Sequence, residues 1–169
     1  MSLSLRPASS GDDELLYAVY ASTRAQEMAL MDWNAAQKQE FLRMQYRAQK
    51  QAYAENYQGA DIQLILLDGQ PIGRLYVDRT GEEIHVLDIS LLPQYRGQGI
   101  GTHLLNKIMK EAAEHNRPVT LYVQQFNPAL HFYDRLGFRH VSDQGVYLFM
   151  KWLAPVLETN DEDTRAIAK

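Results

Sequence analysis

The sequence contains no cysteine, which excludes disulfide bonds, a thiolate nucleophile and cysteine-based zinc sites. No run of 18 apolar residues is present, so we expect no membrane-spanning helix, and the N-terminus lacks the basic segment and apolar run of a secretory signal. Lys and Arg form no cluster and the net charge is −4, so we expect neither nucleic acid nor a membrane as partner. A reducing cytoplasm fits these absences, and we expect a cytoplasmic protein without a metal site.

The length of the chain, 169 residues, suits one domain. Hydrophobic residues make up 46% of it and charged residues 22%, which is ordinary for a globular protein. We expect residues 1–154 to form the single domain and residues 155–169 a polar, acidic tail.

The first half of the chain predicts a short strand over 3–6 and two helices. The first helix begins at Ser9 or Ser10 and runs to about Met28, and the second begins at Asp32 or Asn34 and ends before Gly59. Strands are predicted over 62–66, 72–77 and 84–92. Tight turns at Asp68-Gly69 and Thr80-Gly81 join these three strands, which should therefore form an antiparallel meander.

The second half predicts an amphipathic helix over 99–115 and then a strand over 119–123. This strand–helix–strand unit indicates a parallel pair with a right-handed crossover. A short helix follows Asn127-Pro128 and ends at Gly137, and strands over 138–141 and 146–152 complete the sheet as a hairpin. The fold class is α/β (α+β), with a mixed sheet of about seven strands and about four helices.

A glycine-rich loop, Gln94 to Thr102, lies between the strand that ends near Leu92 and the helix of 99–115. Free backbone N–H groups and the helix dipole make such a loop an anion site, suited to a phosphate or diphosphate. The loop fails the P-loop and the dinucleotide patterns, because each requires a glycine at Thr102. Glycines before a helix are also common in simple tight turns, so the loop alone does not identify the ligand.

Two motifs together resemble the GNAT superfamily of N-acetyltransferases. Arg96-x-x-Gly99-x-Gly101 is similar to the acetyl-CoA loop, and Phe132-Tyr133-x-x-x-Gly137-Phe138 is similar to the late Phe-Tyr-x-x-x-Gly-Phe motif. Asn127 lies where the family often has an asparagine near the pantetheine arm. The resemblance covers about residues 84–152 and implies the GNAT fold and acetyl-CoA as donor. It places the cofactor at Ile89, Ser90, Leu91, Arg96, Gly97, Gln98, Gly99, Ile100, Gly101, Thr102, Asn127, Phe132 and Tyr133.

The strand before the loop changes its apolar parity, from even positions at Ile84 and Val86 to odd positions at Ile89 and Leu91. The change indicates a β-bulge near Leu87 or Asp88, or else a strand buried on both faces. The resemblance favours the bulge, which splays this strand from its parallel neighbour. It implies that the pantetheine arm pairs in the resulting cleft with the backbone near Ile89 and Leu91.

Acetyl transfer to an amine needs a neutral amine, an oxyanion donor and an acid for the departing thiolate. Tyr133 is the candidate acid by resemblance, although a tyrosine in this pattern also suits core packing. Glu83 is the candidate base, because its distance from Arg96 resembles that of the catalytic glutamate in histone-acetyltransferase members. His85, Asp88, Glu27 and water remain alternatives.

The acceptor is open. The resemblance implies that the first two helices cover the acceptor. The apolar segment 28–33 either presents the ring of Trp33 to the acceptor or packs the two helices together. We expect an N-acetyltransferase that moves an acetyl group from acetyl-CoA to a primary amine by direct attack; a CoA-binding regulatory module without turnover is the alternative. The chain is expected to be a monomer or a homodimer, and the apolar strand 146–152 would suit a dimer contact.

Overall fold

The computed structural model describes residues 2–155. Seven strands and five α-helices occur in that range, with short 3-10 helices at Ser10–Asp12 and Pro93–Tyr95. The strands are β1 (Leu3–Pro7), β2 (Asp61–Leu67), β3 (Gln70–Asp78), β4 (Ile84–Leu91), β5 (Val119–Gln124), β6 (Arg139–Gln144) and β7 (Tyr147–Trp152). The helices are α1 (Asp13–Thr23), α2 (Ala25–Ala29), α3 (Ala35–Asn56), α4 (Ile100–Glu114) and α5 (Ala129–Leu136). The predicted tail, 155–169, lies outside the described residues except for Pro155.

All seven strands form one sheet in the order β1-β2-β3-β4-β5-β7-β6. Neighbouring strands are antiparallel except for the pair β4 and β5, which is parallel. Asp68 and Gly69, with φ of 49° and 82°, form the tight turn between β2 and β3, as a two-residue hairpin requires. The predicted mixed sheet, its meander and its parallel pair are confirmed.

Helices cover both faces of the sheet. The stripe of α4 that includes Leu104, Leu105 and Ile108 packs on one face and forms the larger core with strand residues such as Ile84 and Leu121. Helices α1 and α3 cover the other face of the first strands and form a second core. The candidate site lies between these two helical layers, where strands β4 and β5 diverge.

The first predicted helix does not run unbroken to Met28. It ends at Thr23, and a separate short helix, α2, begins at Ala25. The hydroxyl of Ser22 donates to the carbonyl of Val19 at 2.7 Å, and that of Thr23 donates to Tyr20 at 2.6 Å. Such side-chain bonds compete for the carbonyls that a continuing helix would use, so the chain turns here and five helices replace the expected four.

Strand β4 carries the predicted bulge. Tyr76 of β3 pairs with Asp88 and the next residue, Val77, pairs with Val86. Leu87 is therefore the extra residue, which bends the strand. Parallel pairing between β4 and β5 ends at Val86 and Leu121, so the two strands diverge from that point and leave a cleft.

The last strand, suggested for a dimer contact, does not lie at an edge of the sheet. Strand β7 pairs with β5 on one side and with β6 on the other. Both of its backbone edges are therefore occupied, and the sheet ends at β1 and β6 instead. The order of the strands along the chain does not predict this position, because β7 lies between β5 and β6, the two strands that precede it.

Candidate active site

A cavity of about 1060 Å³ opens where β4 and β5 diverge. The glycine loop and the start of α4 form one end of it, and α5 lies along its side. Side chains from α1, α2 and α3 close the opposite end. The cavity therefore joins the predicted phosphate loop to a region covered by the N-terminal helices.

Glycine conformations shape the loop. Gly97 and Gly99 have φ of 73° and 84°, a region that residues with a Cβ rarely adopt. Gly99 precedes the first residue of α4, Ile100. The backbone N–H groups of this turn lack intrahelical partners and lie at the positive end of the helix dipole, which suits a bound anion.

Arg96 fixes the position of the loop. Its Nε donates to the carbonyl of Leu91 at 2.8 Å, and its Nη2 donates to the hydroxyl of Ser22 at 3.1 Å. One side chain thus ties the loop to the end of β4 and to the last turn of α1. The loop is therefore held between the end of β4 and the end of α1.

The structure brings together nearly all the residues predicted to bind the cofactor. Those lining the cavity are Ile89, Ser90, Leu91, Arg96, Gly97, Gly99, Ile100, Gly101, Thr102, Asn127, Phe132 and Tyr133. Gln98 is not among them, and its Nε2 donates to the carbonyl of Gln94 at 3.0 Å. The Oδ1 of Asn127 accepts from the backbone N–H of Ala129 at 2.9 Å, so this side chain also holds the start of α5.

Tyr133, the candidate acid, lies on α5 and lines the cavity. Its ring packs against Phe132 and Phe138, with centroids 5.3 and 5.7 Å away. Burial, with a smaller contribution from the nearby Asp88 carboxylate, raises the pKa of Tyr133 to about 12. The phenol is therefore protonated at neutral pH and can donate a proton into the cavity.

A buried polar cluster that sequence reasoning missed lies beneath the bulge. Arg74 of β3 is only 5% exposed and its guanidinium contacts the carboxylate of Asp88 at 2.6 Å. The hydroxyl of Ser90 donates to the same carboxylate at 2.8 Å, and Arg74 also donates to Oε1 of Gln49 on α3 at 3.0 Å. The cluster connects β3, the bulged part of β4 and α3, so it holds these three elements in place beside the cleft. One charged residue inside the apolar run 72–77 was the available signal, since buried charges require partners.

His85 lies at the point where the cleft begins. Its Nδ1 is 2.9 Å from the hydroxyl of Thr120, and its ring stacks on Tyr57 at a centroid distance of 5.4 Å. Burial lowers the pKa of His85 below its ordinary value of 6.5, although Asp78 and Glu83 oppose the shift. The imidazole is thus neutral at neutral pH, and it lines the cavity.

The remaining base candidates and Trp33 occupy less suitable positions. Glu83 is not among the residues lining the cavity, and its Oε1 is 3.4 Å from Nζ of Lys151. Glu27 lines the cavity but pairs with Arg24 at 3.2 Å. Trp33 packs on Phe41 at a separate depression of about 310 Å³. The end of the cavity opposite the glycine loop is therefore lined by residues of α1, α2 and α3 and not by the segment 28–33.

Two further findings concern residues 2–155. No group of three or more His, Asp or Glu side chains in this range is placed to hold a metal ion. Within the same range, no helix combines the length and the apolar character needed to cross a bilayer.

Comparison with known proteins identifies the family. The sequence profile of the Acetyltransferase (GNAT) family matches residues 26–138, which is more than half of the chain. The chain therefore belongs to the GNAT family of acetyltransferases, enzymes in which acetyl-CoA-dependent acetylation is general. This confirms the resemblance that the glycine loop and the Tyr133 motif indicated.

Individual relatives cover shorter segments. An N-alpha-acetyltransferase of Sulfurisphaera tokodaii is 40% identical over 60 residues, which is 34% of this chain and 36% of that protein. An uncharacterized N-acetyltransferase of Methanocaldococcus jannaschii is 37% identical over 83 residues, 43% of this chain and 36% of that protein. The chain thus covers little more than a third of the length of these curated relatives.

Solved structures confirm the fold along nearly the whole chain. PaiA N-acetyltransferase from Thermoplasma acidophilum, solved in complex with coenzyme A, superposes with a TM-score of 0.70 at 21% identity. The match covers 91% of this chain and all of that one. The ribosomal-protein-S18-alanine N-acetyltransferase from Escherichia coli gives a TM-score of 0.59 at 17% identity, covering 94% and 98% of the two chains.

Proposed function

We propose that the protein transfers the acetyl group of acetyl-CoA to a primary amine by direct attack of the amine on the thioester. The observation that carries this proposal is that the glycine loop, the diverging strands and Tyr133 all line one cavity. An anion site, a free strand edge and a protonated phenol are the three features that the donor half of this reaction uses.

The donor would lie with its diphosphate on the backbone N–H groups from Arg96 to Thr102. Its pantetheine arm would follow the backbone of β4 from Ile89 to Leu91, an edge that β5 leaves unpaired beyond Val86. Asn127 and Phe132 would border the arm from the α5 side. The charge of the cavity agrees with a polyanionic donor, because four arginines line it (Arg24, Arg74, Arg96 and Arg135) against two carboxylates (Glu27 and Asp88).

In the transfer, the lone pair of the amine nitrogen forms the new bond to the acetyl carbon and the carbon–sulfur bond breaks. The departing thiolate takes the phenolic proton of Tyr133, so free CoA leaves as the thiol. The nitrogen loses one proton as it becomes an amide. That proton has to reach a base, and it can then return through solvent to the tyrosinate.

We propose His85 as the base. Glu27 is paired with Arg24, and Asp88 already accepts bonds from Arg74 and Ser90. When Nδ1–H of His85 donates to Thr120, Nε2 of the ring is left as a free acceptor. Its neutral form at neutral pH suits this role.

The test of the donor half is calorimetry with CoA and acetyl-CoA, and the test of turnover is release of free thiol with a panel of primary amines. We expect binding of both ligands and amine-dependent thiol release. If the protein bound neither CoA nor acetyl-CoA, the proposed function would be wrong. Tight binding without thiol release from any amine would instead favour a CoA-binding module without turnover.

The Tyr133→Phe variant separates chemistry from binding. The ring keeps its packing against Phe132 and Phe138, so the Kd for acetyl-CoA should change little. Loss of the proton donor should lower kcat by about 100-fold. An unchanged kcat, with chemistry shown to be rate-limiting by single-turnover measurement, would remove Tyr133 from the mechanism.

A further inference from the structure

One side of the cavity is a continuous series of aromatic rings that crosses from α3 to β7. Centroids are 6.1 Å apart for Tyr53 and Tyr57, 5.4 Å for Tyr57 and His85, and 5.5 Å for His85 and Tyr122. Phe149 continues the series, 5.0 Å from Tyr122. These five residues are called the aromatic wall below, and all except Phe149 line the cavity.

Two tyrosines that line the cavity, one in the aromatic wall and one next to it in the cavity lining, are partly exposed. Tyr122 is 44% exposed and Tyr147, which also lines the cavity, is 40% exposed. Tyr122 follows Leu121, the last residue of β5 that pairs with β4, so its ring lies beside the point where the two strands diverge. Large aromatic side chains that stay half-exposed inside a concave site offer stacking surface to a flat ligand.

Charge at the acceptor end argues against a polycationic ligand. Among the described residues, the carboxylates that line the cavity are Glu27 and Asp88. Glu27 pairs with Arg24 at 3.2 Å and Asp88 pairs with Arg74 at 2.6 Å. A second ammonium group would therefore have to compete with Arg24 or Arg74 for either carboxylate, and an unbalanced charge is costly in a partly desolvated site.

Resting on the proposed function, we propose that the acceptor is an arylalkyl primary monoamine, whose ring stacks on the aromatic wall beside Tyr122 while its nitrogen reaches the start of the cleft at His85. The aromatic wall supplies affinity for the flat body of the amine, and competition with Arg24 and Arg74 for the carboxylates disfavours a second positive charge. Tyr122 lies two residues beyond Thr120, the partner of His85, so the rings of His85 and Tyr122 lie on the same face of the sheet. Their centroids are 5.5 Å apart, a gap that a short alkyl spacer matches. The bond changes are those given above, with the arylalkyl amine as the nucleophile.

The experiment compares three amines as acceptors, with acetyl-CoA saturating and free thiol as the readout. The amines are 2-phenylethylamine, hexylamine and 1,6-diaminohexane. We expect kcat/KM for 2-phenylethylamine to exceed that for hexylamine by about three- to tenfold, the range of aromatic stacking. It should exceed that for 1,6-diaminohexane by about tenfold, because the second ammonium has to compete with an arginine for a carboxylate.

Two results overturn the proposal in different ways. A kcat/KM for hexylamine or 1,6-diaminohexane equal to or above that for 2-phenylethylamine rejects the arylalkyl class but leaves the acetyltransferase function intact. No thiol release with any of the three, in a protein that binds acetyl-CoA by calorimetry, also rejects the arylalkyl class, and the wider panel of primary amines then decides separately whether the protein turns over.

A matched pair of variants locates the selectivity. Tyr122→Ala should lower the ratio of kcat/KM for 2-phenylethylamine over hexylamine by about three- to tenfold, and Tyr122→Phe should retain it. Trp33→Ala is the control, since Trp33 is exposed to a similar extent, 39%, but lies outside the cavity. A general folding defect would lower both rates and leave the ratio unchanged. An unchanged ratio in Tyr122→Ala, or a lost one in Trp33→Ala, overturns the placement.

Discussion

A single carboxylate added at the start of α4 should strengthen the helix and weaken CoA binding at the same time. Gly101 is the second residue of α4 and lines the cavity. A Cβ placed there would be 3.9 Å from Cζ of Phe132, an ordinary contact, so the site accepts a side chain. Gly101→Asp and Gly101→Asn have nearly the same shape and differ in one negative charge, so their comparison isolates the electrostatic effect.

The added negative charge has opposite effects on helix stability and on CoA binding. An acidic side chain in the first turn stabilises a helix by about 0.3–1 kcal/mol through the dipole. The same carboxylate would lie about 5 Å from a diphosphate on the loop, and at an effective dielectric constant near 20 the repulsion is about 3 kcal/mol per charge pair. That energy corresponds to an increase in Kd on the order of 100-fold for Gly101→Asp relative to Gly101→Asn.

The assay is calorimetric titration with CoA, paired with urea unfolding of both variants. Raising the salt concentration should narrow the difference in Kd, because ions screen exposed charges. If Gly101→Asp binds CoA within about threefold of Gly101→Asn while both are folded, the diphosphate does not lie on this loop, and the placement of the donor is refuted.

Three further predictions follow from the described contacts. Asp88→Ala leaves the guanidinium of Arg74 buried without its carboxylate, so the free energy of unfolding should fall by about 3 kcal/mol in urea titrations; a loss under about 1 kcal/mol would contradict this. Arg117 donates to the carbonyls of Arg79 and Gly81 at 2.6 Å each, so Arg117→Ala should cost about 2 kcal/mol, whereas a fall of under about 0.5 kcal/mol would show that these bonds add little. Because burial lowers the pKa of His85, its base form persists below pH 6.5; kcat should therefore rise with pH through a pKa below that value, and matching profiles for the parent and His85→Gln would rule His85 out.

The donor half of the site could be predicted from the sequence because its signals are local. Positive-φ glycines before a helix, a parity change within one strand and a Phe-Tyr-x-x-x-Gly-Phe motif each occupy fewer than ten consecutive residues. The Leu87 bulge was predictable for the same reason, since a one-residue insertion shifts every later side chain to the other face of the strand. The family match over 26–138 confirms the family that these segments indicated.

Contacts between distant segments were not predictable in this way. Gln49, Arg74 and Asp88 meet from α3, β3 and β4, and a pattern of single residues does not state which charged group will face which. The break at Arg24 depends on which carbonyls the hydroxyls of Ser22 and Thr23 find, although both residue types are weak helix formers. The position of β7 between β5 and β6 is likewise a property of the whole sheet.

The donor and acceptor ends of the cavity should differ in how well they tolerate substitution. In the proposed placement, backbone N–H groups and a strand edge bind the donor, and most side-chain substitutions leave these intact. The proposed acceptor end is built from side chains on α1, α2, α3, β4 and β5, and the aromatic wall draws on three of these elements. Substitutions at Tyr57 or Tyr122 can therefore alter acceptor selectivity without disturbing acetyl-CoA, whereas Gly97 and Gly99 allow little variation. Selectivity and donor affinity should consequently vary independently, and measuring both for each variant distinguishes a lost acceptor contact from a disturbed fold.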